Sequence, residues 1–258
     1  MSIAASATPA LGAPSPAETP PARRLFAAAM LAGPALLTLV LVLHHPVVRR
    51  QDGTADLAAG VAEIATANRV VHGTLFVLLA MQAIGYYLFS DRLGWRRPAV
   101  AVGFLAHAAG VLLLGVPLLL DGFVAVDLAA ACRRAAEGCG PADGAALRLV
   151  AVTIQVFTKA GLVVTSGAIA AWSLALLTTT TGPGTPETRA STGAPRRDGI
   201  ARGAGVVGLV CAAVPVVLLG VGGYLRPSTL AGPVAAQVVW ALLAAAIMSR
   251  AAPPVGRA

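Results

Sequence analysis

Apolar residues run along this chain in blocks long enough to cross a bilayer, and polar residues gather between them. Six blocks stand out, at 25–48, 70–89, 98–120, 149–177, 203–224 and 230–248. At about 1.5 Å per residue each can cover roughly 30 Å of hydrocarbon as a helix. None has the period-two alternation of a half-buried strand. The pattern predicts an all-α, polytopic transmembrane helix bundle with six spans and both termini on one side. Between the first two blocks, Leu57, Val61 and Ile64 fall at i, i+4 and i+7, which predicts a short helix lying on the outer membrane surface.

The segments outside the blocks set the expected organisation. Residues 1–22, rich in Ala, Pro, Ser and Thr, have no apolar period and read as a disordered tail. Residues 23–177 form a four-helix unit, 178–202 a Gly, Pro, Ser and Thr-rich flexible linker, 203–250 a two-helix hairpin, and 251–258 a second tail. Arg23, Arg24 and Phe26 resemble part of a twin-arginine export signal. The following apolar run is longer than a signal peptide's and ends in His44-His45-Pro46 and Arg49-Arg50, so a retained span is the better reading.

Composition agrees with the pattern. Of 258 residues 57% are apolar, 12% are charged and 5% are aromatic, and the mean hydropathy is +0.79. Soluble domains carry about twice that charged fraction. The formal charge of +8 has no Arg cluster interleaved with aromatics to support it, so nucleic acid is excluded as a partner. The excess is topological. The connections holding Arg23, Arg92, Arg96, Arg97, Arg189, Arg196, Arg197 and Arg202 carry eleven Lys and Arg together with Arg24, Arg250 and Arg257, against seven in the alternate set. Positive charge retained inside then puts both termini in the cytoplasm of a bacterial inner membrane.

Ionisable groups in or beside apolar spans are costly unless they meet water or a partner. His44 and His45 end the first span, His72 opens the second and Asp121 ends the third, all on the outer side. Brought together, they form an outer polar cluster. His45, His72 and Asp121 offer the ligand types of a transition-metal site, although interfacial anchoring accounts for the same residues. Adjacent histidines on a helix point about 100° apart, so one of His44 and His45 is expected to face the bundle.

A second, midplane cluster is expected from Gln82, His107, Gln155 and Lys159. Lys159, the single lysine, either lies buried or snorkels to the outer headgroups. Gln155, Lys159 and Ser166 share one helical face and predict an inward stripe. Trp172, read as an inner interfacial anchor, pushes Lys159 deeper. His72 and His107 are roughly 18 Å apart along the membrane normal, which disfavours an intramembrane b-type haem and leaves His45 with His72 near the surface.

Cys132 and Cys139 flank an outward loop, where an oxidising periplasm permits a disulfide; Cys211 reads as packing. Small residues at four-residue spacing (Ala106 and Gly110, Gly167 and Ala171, Ala204, Gly208 and Ala212) allow close helix approach, within the bundle or toward a second copy or membrane partner. Pro34, Pro117 and Pro215 read as tolerated kinks. No phosphate loop, dinucleotide fingerprint, HExxH or nucleophile elbow is present.

The order His45-Pro46, His72 and Asp121 at successive outer helix ends resembles a pattern in uncharacterised bacterial multi-pass membrane proteins, over roughly the first half of the chain. The resemblance implies an inner-membrane location and no known reaction. Three functions fit the residues. The first is transport or permeation of a proton or small solute through the midplane polar set. The second is a membrane enzyme or redox protein with an outer metal site. The third is a non-catalytic scaffold or assembly partner.

Overall fold

The computed structural model describes residues 21–45, 54–135, 139–178, 195–221 and 224–250. Residues 1–20 of the expected 1–22 tail, the expected tail at 251–258, and 179–194 of the expected linker lie outside the described residues. So do 46–48, the last part of the expected first span, and Arg49-Arg50 after it.

Among the described residues the chain is all-helical. In order come α1 (Pro21–Leu43), α2 (Thr54–Glu63), α3 (Ala65–Leu93) and α4 (Pro98–Leu119). A π-helical turn (Leu120–Val124) then leads into α5 (Ala125–Arg134), followed by α6 (Pro141–Thr178), α7 (Pro195–Val221) and α8 (Pro227–Ser249). Six helices are long and apolar enough to cross a membrane. The multi-pass architecture thus stands as the sequence pattern indicates. Large aliphatic side chains remain exposed on the outer surface of the ring, among them Leu105 at 67% and Leu112 at 75%, as contact with lipid requires.

Several boundaries differ from expectation, each for a local reason. The first helix begins at Pro21, a residue suited to the first turn of a helix because its missing N–H is unbonded there anyway. Residues 195–202 belong to α7 rather than to a linker. The third span does not stop at Asp121: Ala125 N–H bonds back to Leu120 O, five residues away, and the helix runs on to Arg134. Pro117 lies just upstream and withholds its own N–H from the helical ladder.

The spans close into a ring in which α1 packs on α3, α3 on α4, α4 on α6, α6 on α7, α7 on α8, and α8 on α1. The α7–α8 hairpin is therefore part of the wall. At one end of the ring, the Arg92 end, arginines cover exposed helix C-termini. Arg92 donates to Met248 O at 2.7 Å and Arg250 O at 2.9 Å, and Arg97 donates to Ala175 O at 2.5 Å. The last carbonyls of a helix lack the backbone donor four residues on that interior carbonyls have, and a cation there also meets the negative end of the helix dipole. The turn between α3 and α4 bends at Gly94, whose φ of 94° favours glycine.

Above this end an aromatic layer closes the ring. Trp172 stacks on Tyr86 with ring centroids 4.7 Å apart, and Phe89 meets Trp172 and Trp240 edge-on at 5.9 and 6.1 Å. Trp172 Nε1 donates to Ser90 Oγ at 3.1 Å. Trp172 is fully buried, which corrects its expected place as an interfacial anchor: Gly103 opposite leaves room for the indole, and a Cβ there would sit 2.8 Å from Nε1. The small-residue face of α7 is likewise spent inside the chain. Ala204 and Ala212 are buried, and a side chain at Gly208 would strike Ser173 and Trp240.

At the opposite end, the His72 end, α2 does not lie apart on a membrane surface. It packs on α5 through a small cluster of Ala58, Ala129, Cys132 and Leu147. Cys132 and Cys139 are joined by a disulfide, tying α5 to the segment that enters α6.

Candidate metal centre

The His72 end carries the cluster. His72 stands one turn into α3 after Asn68, and its Nδ1 donates to Asn68 O at 2.8 Å. That bond turns Nε2 toward the ring interior, where it lies 3.1 Å from Asp121 Oδ2 and 3.3 Å from His45 Nε2. Ligating atoms from His45, His72 and Asp121 all lie within 4.8 Å of one another. His72 is 4% exposed as a residue, whereas the Asp121 side chain is 37% exposed, so the cluster faces a mouth rather than a sealed core.

Three local devices produce this convergence. Leu43 ends α1 and leaves His45 in a non-helical segment, where its ring turns inward to His72. His44 turns the other way, with Nδ1 donating to Val40 O at 2.9 Å on the exposed side. The π turn, with one more residue than an α turn, sets the direction of Asp121, and Asn68 Nδ2 donates to the Asp121 carbonyl at 2.7 Å. Pi-helical turns of this kind recur at functional sites. Asn68 itself is 2% exposed. It thus touches two of the three clustered residues, its carbonyl accepting from the His72 imidazole and its amide donating to the backbone carbonyl of Asp121. A pattern search restricted to ionisable residues passes over it. The signal that could have found Asn68 is its place four residues, about one turn, before His72 on the same helix face.

Beneath the cluster the ring encloses a cavity of about 1270 Å³ that reaches from His45, His72 and Asp121 down to Tyr86 and His107. Of the expected midplane set, Gln82 and His107 line it. Gln155 lines it nearer the mouth, where its amide accepts from Leu225 N at 2.7 Å and donates to Leu225 O at 3.1 Å, fixing the α7–α8 connection. Lys159 is partly buried and is not among the lining residues. The inward face of α6 runs instead through Leu147, Ile154, Thr158, Leu162, Thr165 and Ile169, about 100° from the Lys159 direction at the Thr158 level. Ser166 spends its hydroxyl on Leu162 O at 2.7 Å.

The rings of His45 and His72 are in direct edge contact, with centroids 4.9 Å apart, and no macrocycle fits between them in this arrangement. A single ion fits better. Ligand atoms bound at 2.0–2.1 Å around tetrahedral zinc stand about 3.3–3.4 Å apart, close to the His45–His72 and His72–Asp121 separations. Compared with protein-family models, curated proteins and solved structures, the chain matches none.

Proposed function

We propose that this protein is a membrane metalloprotein in which His45 Nε2, His72 Nε2 and the Asp121 carboxylate hold a divalent transition ion at the mouth of the cavity. The observation that carries the reading is their approach within 4.8 Å, from three separate elements, with two of them oriented by Asn68. Zinc and iron(II) are the ions that two imidazoles and one carboxylate suit best. Three protein ligands leave coordination positions toward the cavity. A bound water activated there, or a substrate oxygen polarised there, is the chemistry such an ion supplies.

Midplane transport has less to support it. The cavity ends on the Tyr86–Trp172 stack, and Lys159 does not line it. Transport keeps one supporting observation, the descent of the cavity to Gln82 and His107. The scaffold reading loses support because the Ala204–Gly208–Ala212 face is buried within the chain.

We place the protein in a bacterial inner membrane with the His72 end outward and the termini in the cytoplasm. The Lys and Arg distribution supports this orientation, and so does the Cys132–Cys139 bridge at that end, since disulfides persist in oxidising compartments.

The test is zinc and iron content of the full-length protein in lipid nanodiscs after dialysis against each ion. Wild type and His44→Ala should retain about one equivalent, and His72→Ala should lose it while staying folded. A folded wild type that retains neither ion overturns the proposal.

A further inference from the structure

Below the metal cluster the cavity changes character twice. Its neck is aliphatic, walled by Leu75, Leu79, Leu114 and Leu118. From the lower part of the neck downward, polar side chains from α1, α3, α4, α6 and α8 line the same space: Thr38 at the Leu79 level, then Gln82, His107, Thr165 and Gln237. The contacts between helices fix their levels. Leu31 packs against Gly85, so Thr38, seven residues nearer the mouth, stands about one turn above Gln82. Tyr86 lies one turn below Gln82 and meets His107 at 4.4 Å between ring centroids. Gly110, just above His107, packs on Thr165. The five groups therefore occupy a belt roughly two turns deep, near the middle of the spans.

Two members of the belt satisfy each other: Gln237 Nε2 donates to Thr165 Oγ1 at 2.6 Å. The others do not. His107, 5% exposed, has an Nε2 with no hydrogen-bond partner among the described residues, and Thr38 Oγ1 is buried in the same condition. The side-chain amide of Gln82 makes no hydrogen bond to another described residue. Buried polar groups are rarely left unpaired without a ligand or water to meet them. The carboxylate and guanidinium that line the cavity, Asp121 and Arg226, both stand at the mouth. Without a counter-ion at the belt, a charged ligand there is strongly disfavoured and a neutral one is not.

We infer that the belt is a second binding site, which takes the hydroxyl or carbonyl head of an uncharged, single-chain aliphatic compound, with the chain held in the neck above. Gln82 supplies both a donor and an acceptor, and His107 and Thr38 supply further polar atoms at adjoining levels. At about 1270 Å³ the cavity exceeds the roughly 300–1,000 Å³ of sites for drug-sized ligands, so head and chain fit together. The site is independent of the metal reading: its groups lie about 15 to 21 Å below the His72–Asp121 pair along α3 and α4.

The experiment uses the full-length protein in nanodiscs and a diazirine-bearing octanol, with adducts located residue by residue in the mass spectrum. Saturable adducts are expected on Tyr86 and His107, suppressed at least tenfold by excess octanol and unaffected by equal octanoate. Gln82→Leu should lower their yield about tenfold, the equivalent of one lost hydrogen bond in a buried site. If that variant fails a thermal-unfolding check, Thr38→Val serves in its place. Non-saturable labelling confined to lipid-facing Leu105 and Leu112 overturns the site and leaves a water-filled belt. Competition by octanoate equal to that by octanol overturns the neutral-ligand assignment. Metal content measured on the same samples keeps the two readings separate: belt adducts in metal-free protein leave this inference standing alone, and metal without belt adducts does the reverse.

Discussion

The Cβ of His72 rests against the backbone of Gly122, and a side chain added at Gly122 would begin 2.5 Å from it. This contact lets α3 and the π turn approach closely enough for His72 Nε2 to reach Asp121 Oδ2 at 3.1 Å. Gly122→Ala must push the two backbones apart while leaving every polar ligand in place. Zinc affinity should fall about ten- to a hundredfold, the usual scale for disturbing residues that orient ligands. A zinc titration of folded Gly122→Ala with wild-type affinity would show that the π turn does not set the geometry.

Asn68 makes a second, separable contribution. Its carbonyl orients His72 through the backbone and survives substitution, whereas its amide bond to Asp121 O does not. Asn68→Leu should therefore cost about 1–3 kcal/mol of stability by leaving the Asp121 carbonyl unpaired. It should also weaken metal binding without abolishing it. Complete loss of metal, as in His72→Ala, would mean that Asn68 acts on the imidazole as well.

The helices were legible in the sequence because burial in lipid demands long apolar runs, and little else produces them. Several helix ends were not. Asp121 was expected to close a span, yet the π turn carries the helix past it. That turn is marked by backbone bonding five residues back, as from Ala125 N–H to Leu120 O, which leaves no mark in hydropathy. Trp172 shows the same limit from another side. A tryptophan near a span end reads as interfacial, and only the facing Gly103 reveals a core position. The outer cluster was legible as a set of helix ends on one side. Which histidine turns inward was not, because His44 and His45 differ only in where α1 stops. Lys159 stands out by rarity, but its direction follows from the register of α6 and not from its charge.

Gln155 illustrates a polar residue whose work is structural. Its amide brackets Leu225 with two hydrogen bonds at 2.7 and 3.1 Å, holding the connection that delivers Arg226 and α8. Gln155→Leu removes both and exposes a backbone N–H and C=O pair to a partly buried site. A loss of about 1–3 kcal/mol is expected, read as a lowered midpoint in thermal unfolding, with metal content unchanged. Loss of metal in a stable Gln155→Leu protein would instead tie the α7–α8 connection to the cluster.

The disulfide tests orientation and stability together. Cys132 and Cys139 are seven residues apart, and closing so short a loop restricts the unfolded chain by about 2–3 kcal/mol in the chain-entropy account. Cys139→Ser should lower thermal stability by that order, chiefly by freeing α5 from the start of α6 and loosening the cluster of Ala58, Ala129 and Leu147. The bridge also reports its compartment. In membranes prepared with a thiol-trapping reagent, both loop cysteines should resist alkylation until a reductant is added. Cys211, buried in α7, should react slowly before and after. The His72 end would then face the oxidising side, and a fluorescent reporter fused after Ala258 should fluoresce in the cytoplasm. Loop cysteines alkylated in whole cells without reduction, with a dark reporter, would reverse the orientation and place the His45–His72–Asp121 mouth on the cytoplasmic face.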